Sequence, residues 1–352
     1  MLPSAVHHLW SFEAPILSLV LNRDEEWVAL ALADGTVHCL PADSGADTPK
    51  ELATHAGISL SLAGDAESHA FLSGGDDGKL LLLDPVAGET IILAEHKNRW
   101  IDHVAGAADG KHRAYSVGKE VFVLDEEAKP SFPAPFMLPS SPGGLLFSPN
   151  GKRLAASHYN GATLWWMGAK EATPTKLEWK GSHLNLLWSP DGKVLMTAMQ
   201  DDALHGWQVA DGKEMRMQGY AAKVRSMAFT ARGKYLATSG AEPIICWPFS
   251  GGGPWGKPPM TLGGTETVLV TYVAPHPVDE MIAAGYEDGR VALAPLDGRM
   301  EITIHPPSGA ADRIVGLVWN GLGDTLFAAQ ESGRLLMFTI ESVRKSVISE
   351  AK

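Results

Sequence analysis

Cysteine is scarce in this chain of 352 residues, which contains only Cys39 and Cys246. Two distant cysteines cannot build a disulfide framework or a cysteine-rich metal site, so we expect both to be reduced core residues. The sequence also has no run of about 18 uncharged apolar residues, the length that a membrane-spanning helix needs. Its first residues lack the basic region and cleavage site of a secretory signal. These absences predict a cytoplasmic protein with no membrane partner.

Basic residues are also under-represented. The chain has 29 Lys and Arg against 41 Asp and Glu, a formal net charge of −12. Proteins that hold a nucleic-acid backbone neutralise phosphates with Lys and Arg. The charge balance therefore argues against nucleic acid as the main partner and leaves a nucleic-acid adaptor as the weakest hypothesis.

The signatures of common enzymes are missing as well. There is no GxSxG turn, no GxxxxGK[ST] phosphate loop and no HExxH helix. Histidine is plentiful, but His7 and His8 are adjacent in an extended segment and so point to opposite faces, which prevents them from chelating one ion together. We therefore expect no catalytic residues, no metal and no cofactor.

Turn-forming residues, in contrast, are abundant: 37 Gly and 23 Pro. The stretch WSPDGKVLMTAMQDDALHGW, from Trp188 to Trp207, contains two turn signals, Pro190-Asp191-Gly192 and Gln200-Asp201-Asp202, separated by a short apolar run. Proline presets one turn dihedral, glycine permits positive φ and aspartate bonds its own backbone. The stretch therefore predicts three short strands joined by two tight turns.

The same pattern occurs eight times along the chain. The last turn residue before the third strand of each unit recurs every 40 to 47 residues, at Gly35, Gly78, Gly118, Gly161, Asp202, Glu242, Gly289 and Gly333. A repeat of this period with four short strands per unit is typical of a β-propeller blade. Stacked blades bury each other's apolar faces, which a lone sheet cannot do.

On these residues the chain resembles the WD-repeat family over roughly residues 5 to 340. The resemblance rests on SPNG at Ser148–Gly151, SPDG at Ser189–Gly192, the Asp-Gly turns, and third-strand tryptophans at 166, 207 and 247. No unit carries the Trp-Asp pair or the Gly-His pair of that family; His55 and His96 lie only near the second of these places. The resemblance thus implies that the family's internal Asp–His–Ser–Trp hydrogen-bond network is incomplete in every blade.

The predicted fold is all-β, a single propeller of four-stranded blades over residues 1–341, with a tail at 342–352. We expect eight blades. Seven is the alternative, with one unit folded irregularly, and the unit that begins at Trp100 has the weakest pattern. The last unit lacks a fourth strand, so we expect Val6–Phe12 to supply it and close the ring.

The candidate binding residues lie in the loops expected on one face, before the first strands and between the second and third. Tyr, Trp and Arg dominate the energetics of protein interfaces, and loops on a rigid scaffold commonly carry binding residues. The candidates on this face are Asn98, Arg99, Trp100, Tyr159, His183, Lys223 and Arg313. The acidic residues of the same turns are explained equally well as hydrogen-bond acceptors for their own turns.

Two longer loops carry aromatic residues among glycines and prolines. Phe249–Gly264 contains Trp255, a further candidate for partner contact, and Glu126–Pro142 contains Phe132, Phe136 and Met137. These side chains either fold back over the blades or act as docking segments. Together the observations predict a non-catalytic scaffold that binds protein partners through its loops. The alternative is a propeller whose central channel holds a metal or small ligand, with or without enzymatic activity.

Overall fold

The computed structural model describes residues 4–43, 45, 47–171, 173–251, 253–264, 267–308 and 312–350. Those residues form 30 strands and one helix, beginning with strand β1 (His8–Ser11). Neighbouring strands within each sheet pair antiparallel, and six of the seven sheets among these residues are four-stranded propeller blades. The predicted all-β propeller class is therefore confirmed.

The chain divides into two compact units. One, here called the terminal unit, comprises Met1–Leu19, Pro41–Asp47 and Gly219–Lys352. The other, the middle unit, comprises Val20–Leu40 and Thr48–Gln218.

Three regular four-stranded sheets come first along the chain, each in the order of its sequence. Their strands are β2 (Ile16–Leu21), β3 (Trp27–Leu32), β4 (Thr36–Pro41) and β5 (Lys50–Thr54); β6 (Ser59–Gly64), β7 (Phe71–Gly75), β8 (Lys79–Asp84) and β9 (Glu89–Glu95); and β10 (His103–Gly106), β11 (Arg113–Val117), β12 (Glu120–Leu124) and β13 (Phe136–Met137). The unit that begins at Trp100, expected to be the irregular one, forms the third of these regular sheets.

The next sheet has six strands and joins two repeat units. Its strands are β14 (Gly144–Phe147), β15 (Arg153–Trp166), β16 (Thr175–Trp188), β17 (Val194–Met199), β18 (Leu204–Gln208) and β19 (Glu214–Met217). The described residues thus form seven hydrogen-bonded sheets, or blades. The expected count of eight is wrong in this sense, and the alternative of seven is the one observed. All eight repeat units are nevertheless present, because the joined sheet carries two of them.

The physical reason for the joining lies in the two longest strands. The first half of β15 pairs with β14 and its second half with β16, and β16 then continues to pair with β17. Tyr159 pairs with Ser182 at the junction, where the backbone passes through Gly161 and Gly181 at φ of 136° and 108°. Glycine adopts such φ values at little steric cost, so the strands continue where other units have a turn.

Three sheets follow residue 219. Their strands are β20 (Met227–Phe229), β21 (Tyr235–Thr238), β22 (Ile244–Pro248) and β23 (Met260–Leu262); β24 (Val270–Pro275), β25 (Met281–Tyr286), β26 (Val291–Pro295) and β27 (Ile302–His305); and β28 (Ile314–Trp319), β29 (Thr325–Gln330) and β30 (Arg334–Thr339). The N-terminal β1 pairs with β30, His8 opposite Met337 and Ser11 opposite Arg334. The predicted completion of the last sheet by the N-terminal segment is confirmed.

The tail is helical, as α1 (Ile340–Glu350). It begins two residues before the predicted tail, and Ile340 and Val343 pack against the apolar cluster between the β24–β27 and β28–β30 sheets. The first turn of the helix thus packs against the last blade.

The repeat register predicted from the turn residues is correct. Seven of the eight marked residues lie just ahead of a third strand, and Gly161 lies within β15, where the half that pairs with β16 begins. Gly35 shows why glycine is needed, since its φ is 90° and a Cβ there would lie 2.1 Å from the Gly57 carbonyl oxygen. Apolar clusters fill the spaces between neighbouring blades, one of them between the two halves of the joined sheet, where Leu164 and Leu177 meet Trp188 and Trp207.

Candidate partner-binding surface

The segment Asn98-Arg99-Trp100 connects β9 to β10 in the middle unit. Asn98 adopts a left-handed conformation with φ of 58°, a region that asparagine tolerates better than most residues. Arg99 Nη1 lies 2.6 Å from Glu120 Oε2, and its Nη2 donates to the Val117 carbonyl at 2.9 Å. These contacts hold the loop against the β11–β12 turn and leave the Trp100 side chain 62% exposed.

Hydrogen bonds connect this turn to the next loops of the same unit. Lys119 Nζ donates to the Pro139 carbonyl at 3.1 Å, and the Leu138 amide donates to the Lys119 carbonyl at 2.9 Å. The Tyr159 amide donates to Ser140 Oγ at 3.0 Å. The segments that carry Trp100, Met137 and Tyr159 are therefore tied together.

A fourth segment, part of β16, adjoins this series. Gly143 lies so close to the β16 backbone that a Cβ in its place would be 2.8 Å from Leu184 Cα. Met137, Tyr159 and Leu184 are 65%, 58% and 39% exposed. We call Trp100, Met137, Tyr159 and Leu184 the apolar loop surface. Large apolar side chains left in water on neighbouring segments are typical of a site that another molecule covers.

A groove of about 480 Å³ borders this surface, lined by Met137, Ser140, Tyr159, Asn160, Lys176 and Glu178, among others. His158 also lines the groove and is buried. Burial lowers the pKa of His158 and favours the neutral ring. Nδ1 then donates to the Tyr159 carbonyl and Nε2 accepts from the Thr163 hydroxyl, both at 2.8 Å. The histidine fixes the backbone from which Tyr159 projects.

His183, predicted as a surface contact, has a different environment. Its side chain is buried, with Nδ1 2.8 Å from Thr197 Oγ1 and Nε2 3.1 Å from the Trp179 carbonyl. Burial lowers its pKa. The ring therefore links β16 and β17 inside the blade and is not brought to the apolar loop surface.

Lys223, Arg313 and Trp255 belong to the terminal unit, so they are described separately. Lys223 is exposed ahead of β20. Arg313, ahead of β28, binds Glu331 Oε1 through Nη2 at 2.7 Å. Trp255 is partly buried and its ring lies against its own loop, since a Cβ on Gly253 would be 2.1 Å from Trp255 Cζ3.

The aromatic residues of the Glu126–Pro142 loop fold back onto the blades. The Phe132 and Phe136 rings are 4.8 Å apart, and the Phe136 ring stacks on Trp165 at the same distance. Both pack on the cluster between the β10–β13 sheet and β14–β15. Of the three apolar residues singled out in this loop, Met137 alone is directed outward.

The WD-repeat resemblance implied a network of Asp, His, Ser and Trp side chains inside each blade. One blade contains the first three of these residues but not the tryptophan. His55 Nδ1 lies 2.9 Å from Asp77 Oδ1, and His55 Nε2 lies 2.8 Å from Ser73 Oγ. Burial alone would raise the pKa of Asp77, but hydrogen bonds from His55 and two backbone amides prevail and lower it. Leu81, Leu82 and Leu83 occupy the third strand where the family places tryptophan.

Another blade uses a tyrosine at the corresponding place. Trp247 Nε1 donates to Tyr220 Oη at 2.7 Å, and Tyr220 Oη lies 2.8 Å from Thr238 Oγ1. Thr238 in turn donates to the Ile245 carbonyl at 3.1 Å. A chain of hydrogen bonds therefore still crosses the blade, although the histidine is replaced.

Metal-binding geometry is not found in the part of the chain that the structure describes, where no three His, Cys, Asp or Glu residues are grouped to hold an ion. No helix among the described residues is long and apolar enough to cross a membrane. Comparison of the sequence with protein-family models and with curated proteins finds no match.

Met137 and Leu184 complete the surface but were not among the predicted contacts. Met137 lies in the Glu126–Pro142 segment, and the aromatic residues of that segment already indicated a possible docking site. Leu184 lies in β16 between the polar His183 and Asn185, where regular alternation would turn the leucine inward. A register shift between His183 and Asn185 breaks that alternation and leaves Leu184 39% exposed.

Proposed function

We propose that this protein is a non-catalytic scaffold that binds a partner protein through the apolar loop surface of its middle unit. The observation that carries the proposal is the exposure of Trp100, Met137, Tyr159 and Leu184 on neighbouring segments, of which the first three are tied together by hydrogen bonds. Anchoring residues fixed before binding lose little conformational entropy when a partner covers them. Aromatic anchors of this kind supply most of the binding free energy in many interfaces.

Two further properties belong to the same proposal. The chain is a divergent WD-repeat protein, a relationship supported by the repeat register and by the Asp77–His55–Ser73 network. It functions in the cytoplasm, which is supported by the burial of Cys39 and Cys246 as free thiols.

The test compares tagged wild-type protein with Trp100→Ala/Tyr159→Ala in extracts of the source cells, followed by mass spectrometry. Val278→Ala/Leu322→Ala is the matched control, because those side chains are 62% and 78% exposed in the other unit. We expect a stoichiometric partner that the control retains and the first variant loses. With the partner purified, calorimetry should give an affinity at least about tenfold weaker for Trp100→Ala/Tyr159→Ala.

Equal capture by both variants would place the binding site elsewhere. The absence of any stoichiometric partner, with folded protein confirmed by circular dichroism, would contradict the scaffold proposal itself.

A further inference from the structure

The outer strand of the β6–β9 sheet has an unusual edge. β9 lies at the end of the sheet order, and no strand among the described residues pairs with its outer side. Ile91 and Ile92 are 51% and 53% exposed there. An edge strand offers backbone donors and acceptors to another chain, and exposed apolar side chains strengthen that contact.

Other outer strands in the protein are shorter. β9 has seven residues, whereas β5 has five, β27 and β1 have four, β23 has three and β13 has two. Short edge strands are a common protection against unwanted pairing. β9 is longer and therefore lacks this protection. A bulge at Leu93, between Ile92 and Ala94, limits its regular stretch to Glu89–Ile92.

The two faces of this stretch differ. Side chains alternate along a strand, so Glu89 and Ile91 share one face while Thr90 and Ile92 share the other. Thr90 Oγ1 donates to the Leu52 carbonyl of β5 at 2.6 Å, which holds the start of β9 in place. The edge is therefore ordered before any partner arrives.

The beginning of the edge is acidic. Asp84 lies opposite Glu89 in the β8–β9 register, and the Glu89 side chain makes no hydrogen bond or ion pair with any described residue. Lys50 Nζ lies near Gly88 without an ion pair to Glu89. The whole chain carries a net charge of −12, which opposes pairing between two copies and favours a basic partner.

From this edge we infer a second interaction site: β9 receives an extended peptide segment of a partner protein as an added antiparallel strand. The segment has branched apolar residues opposite Ile91 and Ile92 and a Lys or Arg opposite Glu89. Main-chain hydrogen bonds along Glu89–Ile92 supply affinity, and the acidic end sets the choice of sequence. This site is separate from the apolar loop surface and does not depend on it.

The test uses two synthetic peptides with a central pair of Val residues flanked by Thr, one with Lys at both ends and one with Glu at both ends. Binding to the full-length protein is measured by fluorescence anisotropy at low and high salt. We expect the Lys peptide to bind at least about tenfold more tightly than the Glu peptide, with a preference that weakens as salt rises. Hydrogen exchange should slow at amides within Glu89–Ile92 when the Lys peptide is bound.

Three variants make the assignment specific. Ile91→Lys/Ile92→Lys should abolish binding of the Lys peptide, whereas Leu322→Lys, an apolar-to-lysine change at a side chain 78% exposed in the other unit, should not. Glu89→Lys should reverse the preference between the peptides. Trp100→Ala/Tyr159→Ala should leave peptide binding unchanged, which separates this site from the proposed scaffold surface.

Equal binding of both peptides, no binding of either, or retained binding by Ile91→Lys/Ile92→Lys would overturn the inference. Sedimentation velocity tests whether a second copy of the chain occupies the edge instead. A dimer that Ile91→Lys/Ile92→Lys dissociates would show that a second copy occupies the edge, and the assignment to a basic peptide would then be wrong.

Discussion

Arg113 binds both carboxylate oxygens of Asp65: Nε donates to Oδ1 and Nη2 to Oδ2, each at 2.8 Å. The pair is almost fully buried between the β6–β9 and β10–β13 sheets. Burial would lower the pKa of Arg113, but the hydrogen bonds and charge of Asp65 prevail and raise it. The guanidinium also donates to the Asp125 and Glu126 carbonyls, so it fixes the end of β12 as well.

Arg113→Met should therefore destabilise the protein by about 3 to 5 kcal/mol, because it leaves the buried Asp65 carboxylate without its counter-charge. Arg113→Met/Asp65→Asn should cost less than Arg113→Met alone, since no uncompensated charge remains. Urea denaturation of both variants measures the difference. A double variant less stable than the single one would contradict the assignment of the loss to the orphaned carboxylate.

Tyr220→Phe tests the tyrosine that replaces histidine in its blade. Removing the hydroxyl leaves Trp247 Nε1 without its acceptor, so we expect a loss of about 1 to 3 kcal/mol in the free energy of unfolding. Tyr159→Phe is the matched control, because its ring is 58% exposed, and it should change stability by less than about 0.5 kcal/mol. Equal effects of the two changes would show that the Tyr220 hydroxyl does not stabilise the blade.

The stability of the protein should fall in mild acid partly because of His205. The ring is 1% exposed, neither nitrogen has a hydrogen-bond partner, and Glu214 Oε2 is 3.8 Å from Nε2. Burial, reinforced by the charges of His183 and Arg216, lowers its pKa from 6.5 to about 3. The unfolded chain therefore takes up a proton first as pH falls, so the stabilisation is complete above about pH 6.5 and is lost progressively toward pH 3.

His205→Phe removes this titration while keeping a ring beside Trp179. The free energy of unfolding should then depend less steeply on pH than in the wild type between about pH 6.5 and 4. The two slopes should differ by at most about 1.4 kcal/mol per pH unit, the limit for one titrating group. Chemical denaturation at a series of pH values measures both slopes. Identical slopes would mean that His205 does not carry this dependence.

Truncation of two tryptophans should destabilise the protein to very different extents. Trp207 is 1% exposed in the cluster between the halves of the joined sheet, so Trp207→Ala should cost about 3 to 5 kcal/mol. Trp100 is 62% exposed, and Trp100→Ala should change the free energy of unfolding by less than about 0.5 kcal/mol. Thermal unfolding compares them, and a large loss for Trp100→Ala would mean that its ring belongs to the core.

Several features of the fold could be predicted from local residue chemistry alone. The turn residues from Gly35 to Gly333 predicted the repeat register, because tight turns require particular residues at particular positions. The missing fourth strand of the last unit and the extended segment before Ile16 predicted that β1 would pair with β30. A few neighbouring residues determine each turn, and the count of strands in each unit then indicated which two ends must meet.

Only the tertiary structure decided which side chains reach the surface and how the blades connect. The sequence could not distinguish the buried His183 from the exposed Tyr159, because packing across strands determines their burial. It could not show that Tyr159 pairs with Ser182 and joins two repeat units, since that pairing depends on how strands distant in sequence align. Local residue chemistry thus determined the strands and turns of this protein, while long-range packing determined the joined sheet and the apolar loop surface.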